Sequence, residues 1–215
     1  MTFSPLALLR SGDPASIRRH WNETRQRHPT CRIDVSGADL GRLDLGKEPV
    51  ELLDCRGISL RGTFLLLARM QKCDFRASDL SELDAFRADL RYSDLRYCNL
   101  RGAYLGKTDL RNTDFSGADL SGADLRETDL RGASLVGAIL VETYLDGALL
   151  NDANLKDAVL ERTRLRGCDL TAIKGLEPLQ LRTCVLDSPA TTTAKSLLTA
   201  APTHLDEKSS QGNRS

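Results

Sequence analysis

A period of five governs this chain. Ser116-Gly-Ala-Asp-Leu120 is followed by Ser121-Gly-Ala-Asp-Leu125 and then by Arg126-Glu-Thr-Asp-Leu130. Stepping by five from Leu40 to Leu170 visits 27 centres without a change of register, and 23 of them are Leu or Phe. The exceptions are Val50, Cys55, Met70 and Ala85. A small residue (Ala, Ser, Thr or Cys) precedes the centre by two in 22 cases, and Asp or Asn precedes it by one in 16, so the pattern extends beyond leucine. Glycine recurs two residues after the centre, as at Gly57, Gly102, Gly122 and Gly132. Five matches neither the helical period of 3.6 nor the strand period of two, which excludes an ordinary bundle or sandwich.

In an extended segment, residues two apart point the same way. The centre and the small residue before it therefore point inward, and the Asp or Asn between them points outward. Gly, Asn, Asp and Ser near the segment ends favour turns. Each pentapeptide is then one short side and one corner, and its apolar face is buried only by stacking on neighbours. Leu120, Leu125 and Leu130 are core centres on this reading. Aromatic residues are only 5% of the chain, so the core is aliphatic.

These residues resemble the pentapeptide repeat family, whose A(D/N)LXX consensus matches Ala118-Asp119-Leu120 and Ala123-Asp124-Leu125. The resemblance covers about residues 36–186. It implies an all-β solenoid: a right-handed quadrilateral β-helix with four pentapeptides per coil, an N-terminal helical cap and a flexible C-terminal tail. Residues 20 apart would then lie one above another at the strand spacing of about 4.8 Å. Lys47-Glu-Pro-Val50 and Glu82-Leu-Asp-Ala85 depart from the pattern. Pro49 implies an irregular early coil, and Ala85 a thin spot in the core.

Residues 1–35 lie off the repeat. Asp13-Pro14 reads as an N-cap and first helical residue. Ile17, Trp21 and Thr24 share one face of a helix over about 14–27, which would lay Trp21 on the open end of the first coil. The Trp21-Asn22…Arg25…Pro29 run resembles leaders found in the family. At the other end a one-residue shift after Ile173-Lys-Gly175 makes Leu176, Leu181 and Leu186 centres, with Leu179 and Cys184 inward two residues earlier. Residues 171–186 read as a distorted last coil, and 187–215, rich in Ser, Thr, Ala, Pro and Lys, as a mostly disordered tail. No apolar run suits a membrane span, and the first ten residues lack the pattern of a signal peptide, so a cytoplasmic location is expected.

Catalytic constellations are missing. His20, His28 and His204 lie outside the repeat without metal-ligand spacing. Cys55, Cys73, Cys98, Cys168 and Cys184 fall on inward positions and, with Cys31, make no zinc motif. The aspartates recur with the repeat as turn-supporting side chains. No catalytic, cofactor or metal residue is assigned, and the chain is not expected to be an enzyme.

The outer columns carry the functional signal. Asp54, Asp74, Asp94 and Asp114 form one, and Asp89, Asp109 and Asp129 another. Arg56, Arg76, Arg96, Arg91, Arg111 and Arg131 lie beside them. With 30 acidic and 30 basic residues the chain has no formal net charge, which argues against direct nucleic-acid binding. A third column, Asp44, Phe64, Asp84, Tyr104, Asp124 and Tyr144, alternates acid and aromatic. Its candidate contact residues are Phe64, Tyr104 and Tyr144. A candidate contact patch, Val136, Ile139, Val141, Tyr144 and Val159, replaces acids on the late coils. Its expected partner is a protein, a second copy in a homodimer, or residues 176–205 of the same chain. The reading is a non-enzymatic protein-interaction or scaffold module. The alternative is a DNA mimic that binds DNA gyrase, as quinolone-resistance members of the family do.

Overall fold

The computed structural model describes residues 4–10, 13–31, 33–46 and 52–187. From Asp54 to Tyr144, the outward residue of each side pairs in parallel with the residue 20 positions later: Asp89 with Asp109, Asp109 with Asp129, Tyr104 with Asp124. Four sides therefore make one coil of a β-helix, and four faces run along it, each named here by one outward residue: Asp94, Asn99, Tyr104 and Asp109. Most sides pair through a single residue. Among the described residues, β1 (Leu53–Asp54) and β2 (Cys73–Asp74) extend to two.

The pentapeptide dictates this geometry bond by bond. The outward residue donates to the coil below (Asp89 N to Ala68 O, 2.8 Å), and the centre donates to the coil above (Leu90 N to Asp109 O, 3.0 Å). The corner then turns through a left-handed residue two after the centre. Gly122 (φ 67°) fits this freely, whereas Lys107 (φ 57°) carries a side chain there against its ordinary preference. The outward Asp also caps its corner, as where Asp119 Oδ1 accepts the Ser121 N–H at 2.9 Å. Inside, the small residue is often a hydroxyl that donates to a centre carbonyl of the coil below: Thr108 to Ala85 O at 2.7 Å, Thr143 to Leu120 O at 2.8 Å. The buried hydroxyls are thus satisfied. Leu120, Leu125 and Leu130 are fully buried.

Three expectations need correction. The first coil is longer than the rest: Asp34, Asp39 and Asp44 pair with Ser59, Phe64 and Arg69, 25 positions on. The offset changes from 25 to 20 between Asp44 and Asp54; residues 47–51, which include Pro49, lie outside the described residues. Hence Asp39, not Asp44, stands below Phe64, and Asp44 forms an ion pair with Arg69. Ala85 makes no thin spot. Leu83 occupies the small position of that side and both are buried, so the pair has exchanged volumes. Leu179 is not inward but 68% exposed, because it opens the 3-10 turn Gln180–Thr183. Leu181 is buried beyond it, and Val185 pairs with Arg164, 21 positions earlier.

Two helices precede the coils, α1 (Pro5–Leu9) and α2 (Pro14–Arg27). Asp13 caps α2, accepting the N–H groups of Ala15 and Ser16. The buried face of α2 is Ile17, Arg18, Trp21 and Arg25. Thr24 is not part of it, since its hydroxyl bonds back to His20 O within the helix. Side chains of α2 donate to backbone carbonyls of the first coils. Arg18 reaches Leu45 O (2.7 Å) and Gln71 O (2.6 Å), and Trp21 Nε1 reaches Asp54 O (2.7 Å). Asn22 reaches Leu52 O (2.9 Å), and Arg25 reaches Arg56 O (2.7 Å).

Candidate functional site

The Asp94 and Asp109 faces are closed by a repeated fork, which occurs once more on the Tyr104 face at Asp124. Where Arg follows Asp by two, the guanidinium folds back onto the carboxylate in a bidentate pair: Arg91 Nε and Nη2 donate to Asp89 at 2.9 and 2.8 Å. The same Arg91 approaches Asp109 of the next coil at 3.4 Å. Asp54–Arg56, Asp74–Arg76, Asp94–Arg96, Asp109–Arg111, Asp124–Arg126 and Asp129–Arg131 repeat the fork. Planar Arg suits this bidentate geometry, and Lys would not reproduce it. The forks hold Asp54, Asp124 and Asp129 below the ordinary carboxylate range, because the arginine hydrogen bond outweighs partial burial.

A sign follows for stability. Groups lowered in the folded state stabilise fully above their unfolded value, near 3.9 for Asp, and lose that contribution as pH falls through the folded values. Thermal midpoints taken between about pH 6 and pH 2 should hold steady at first and fall below about pH 4. A flat profile would contradict the forks.

The Tyr104 face differs. Its column runs Asp39, Phe64, Asp84, Tyr104, Asp124, Tyr144 and Arg164. Phe64 and Tyr104 are 51% and 59% exposed, and Tyr144 lies under the Arg164 guanidinium, 5.1 Å from the ring centroid. The sequence reading missed three neighbours, Leu66, Leu67 and Phe86, exposed at the corner that closes this face. Their signal was available: Leu66 and Phe86 occupy the position just after the centre one coil apart, where Arg or Ser is usual. Coils with Tyr104 and Asp124 enclose a groove of about 400 Å³ lined by Asp84, Phe86, Tyr104, Gly106, Asp124 and Arg126 among others. A Cβ at position 106 would meet the Phe86 ring at 3.3 Å, so glycine keeps the corner open.

The late patch is divided by the coil. Ile139 and Val159 adjoin on the Asn99 face, 38% and 41% exposed, with half-buried Val136 and Val141 at its corners. Tyr144 belongs instead to the Tyr104 face. Residues 176–187 turn to the end of the last coil, where Gln180 Nε2 donates to Ala158 O at 2.7 Å. Residues 188–205, the rest of the expected intramolecular partner, lie outside the described residues.

A second groove, on the edge between the Asp109 and Asp94 faces, is lined by cations that are already paired: Arg111 with Asp109, Arg131 with Asp129, and Lys174 with Asp152. Burial pushes the Cys98 thiol up to about 12 and those of Cys168 and Cys184 to about 11, which keeps them protonated. Among the described residues no cluster of His, Cys, Asp and Glu could hold a metal ion. No helix among them is long and apolar enough to cross a membrane.

The stacked four-sided coils define a solenoid repeat protein with a β-helix scaffold. A family model for pentapeptide repeats (8 copies) matches residues 93–132 and 133–171. Residues 93–171 are thus pentapeptide repeats, and pairing with the residue 20 positions on makes their β-helix four-sided. It is similar to three solved structures in particular. One is the pentapeptide repeat protein Rfr23 of the cyanobacterium Cyanothece 51142: 24% identity, 64% of this chain and 95% of that one, TM-score 0.39. Another is a trypsin-treated variant of QnrB1, a plasmid-mediated fluoroquinolone resistance protein: 17% identity, 80% and 90% coverage, TM-score 0.45. The third is alr5209 of Nostoc Pcc 7120: 36% identity, 53% and 84% coverage, TM-score 0.18. A search of curated proteins found no match.

Proposed function

We propose that this protein is a non-enzymatic interaction module that presents its Tyr104 face to a protein partner. The observation that carries the reading is the concentration of exposed Phe64, Leu66, Leu67, Phe86 and Tyr104 along one edge. The adjacent Asp109 face and the opposite Asp94 face are laced with forks. Contiguous exposed apolar side chains lose contact with water only when something covers them, and such patches mark contacts. The smaller Val136–Ile139–Val141–Val159 patch suits a weaker contact with a second copy. The division proposed is a helical cap over residues 1–35, a β-helix over 36–186 and a tail over 187–215, in a cytoplasmic protein with unpaired thiols. Photo-crosslinking from position 104, with position 94 as control, tests the reading in the host cell. Discrete protein adducts from 104 alone are expected, and equal labelling from both would overturn it.

The gyrase-directed DNA mimic is the second reading. QnrB1 is described as a fluoroquinolone resistance protein. A duplex carries one negative charge per about 1.7 Å, unbroken along its length. Here residues 36–175 hold 23 acidic and 20 basic residues, and each fork places a guanidinium beside a carboxylate. Purified protein is therefore expected to leave gyrase supercoiling unaffected. Inhibition at sub-micromolar protein, lost when Asp89, Asp109 and Asp129 are neutralised, would favour the mimic.

A further inference from the structure

We propose that the Tyr104 face recognises an arginine side chain of its partner, seated against Asp84 between aromatic rings. The proposal rests on the interaction reading above and names the chemistry of that contact.

Asp84 carries no fork, nor do Asp39, Asp44, Asp79, Asp114, Asp119 and Asp169, but at Asp84 alone an aromatic ring takes the arginine's place. Two residues after it, where Arg follows Asp54, Asp74, Asp89, Asp94, Asp109, Asp124 and Asp129, stands Phe86. One Asp84 oxygen accepts the Phe86 N–H at 3.1 Å, and among the described residues no cation pairs with the carboxylate. The cations lining the groove are already committed, Arg126 to Asp124 and Lys107 to Glu127 at 3.2 Å, and Arg87 lies over the Phe86 ring. The carboxylate is thus surrounded by what an arginine uses and lacks only the arginine. Phe64 and Tyr104 stand directly below and above it in the column, and Phe86 borders the groove that opens beside it.

The molecule contains the arrangement itself. Tyr144 stands two coils beyond Tyr104, and Arg164, one coil further, lies over its ring at 5.1 Å and pairs with Asp146 at 2.8 Å. Asp146 occupies the corner position that corresponds to Phe86 three coils earlier. One guanidinium therefore already joins a ring of this column to a nearby carboxylate. Arg87, 5.4 Å over the Phe86 ring, shows that this ring too accepts a guanidinium face. Stacking with bidentate pairing favours Arg over Lys, whose ammonium is a compact, strongly hydrated point charge.

The test pans a displayed library of random heptapeptides against the immobilised full chain. It is repeated with Asp84→Asn, which removes the charge, and Phe86→Arg, which restores the internal fork and fills the position from within. Thermal melts check both variants, and Phe86→Arg should melt no lower than wild type because it recreates an arrangement used seven times. Wild type is expected to enrich peptides with Arg beside apolar residues. The synthesised best peptide should bind both variants about tenfold or more weakly, as should its citrulline and lysine analogues bind wild type, the scale of one charge-assisted contact. Enriched peptides without Arg, or equal binding by Asp84→Asn or by the citrulline analogue, would overturn the arginine site and leave the interaction reading standing. Absence of any peptide enriched by wild type would count against both.

Discussion

Leu120→Ala is expected to lower the unfolding free energy by about 2–5 kcal/mol, the range for deleting most of a buried leucine and leaving a cavity. The side chain is fully buried, and its backbone is held by the ladder on both sides: Asp119 N donates to Cys98 O of the coil below at 3.0 Å, and Leu120 N donates to Ile139 O of the coil above at 2.8 Å. A backbone fixed from above and below relaxes little, so the cavity persists. The outward neighbour is a direct control. Asp119→Ala removes bonds to Ser121 and Arg101 at the surface, and a loss of about 1 kcal/mol is the scale for such contacts. Denaturant melts of the two variants decide the matter. Equal losses would mean that inside and outside are wrongly assigned. Because each coil touches only its neighbours, hydrogen exchange should quicken first in the coils next to Leu120.

That inside–outside division was legible because a five-residue period with one dominant apolar position leaves a single way to build a side. The number of sides per coil was less so. The step from Leu40 to Leu60 keeps perfect register, yet Asp39 pairs 25 residues on and Asp54 pairs 20 on. A period of five cannot distinguish four sides from five, and only Pro49 hinted at the longer coil. The interaction face was half legible. Phe64 and Tyr104 stand out because aromatics replace acids in an outward column, but Leu66, Leu67 and Phe86 sit at corners, where the repeat constrains residues less than at the centres and their signal is fainter. Asp84 showed no anomaly of its own. Its significance lies in the ring that stands two residues later, visible only once the forks on other sides have shown what an arginine at that position does.

The helix α2 poses the sharpest contrast between pattern and structure. Apolar periodicity identifies Ile17 and Trp21, but it is blind to Arg18, Asn22 and Arg25, which share the buried side as hydrogen-bond donors. A coil edge left without a neighbour exposes backbone carbonyls as well as leucines, and an open edge invites pairing with other chains. Trp21 answers both needs: it is 1% exposed, and its indole N–H meets Asp54 O at 2.7 Å. Trp21→Ala is therefore expected to cost about 3–5 kcal/mol. Trp21→Phe, which keeps most of the ring and loses the N–H, should cost about 1–3 kcal/mol because it leaves a buried carbonyl unpaired. Arg18, Asn22 and Arg25 bond neighbouring carbonyls, so losing Trp21 should loosen them together. Hydrogen exchange measured alongside the melts locates the damage. Protection should fall at residues 52–75, where α2 rests, before it falls at 140–160. If both regions lose protection equally, or if Trp21→Ala melts like wild type, α2 is not what closes the first coil.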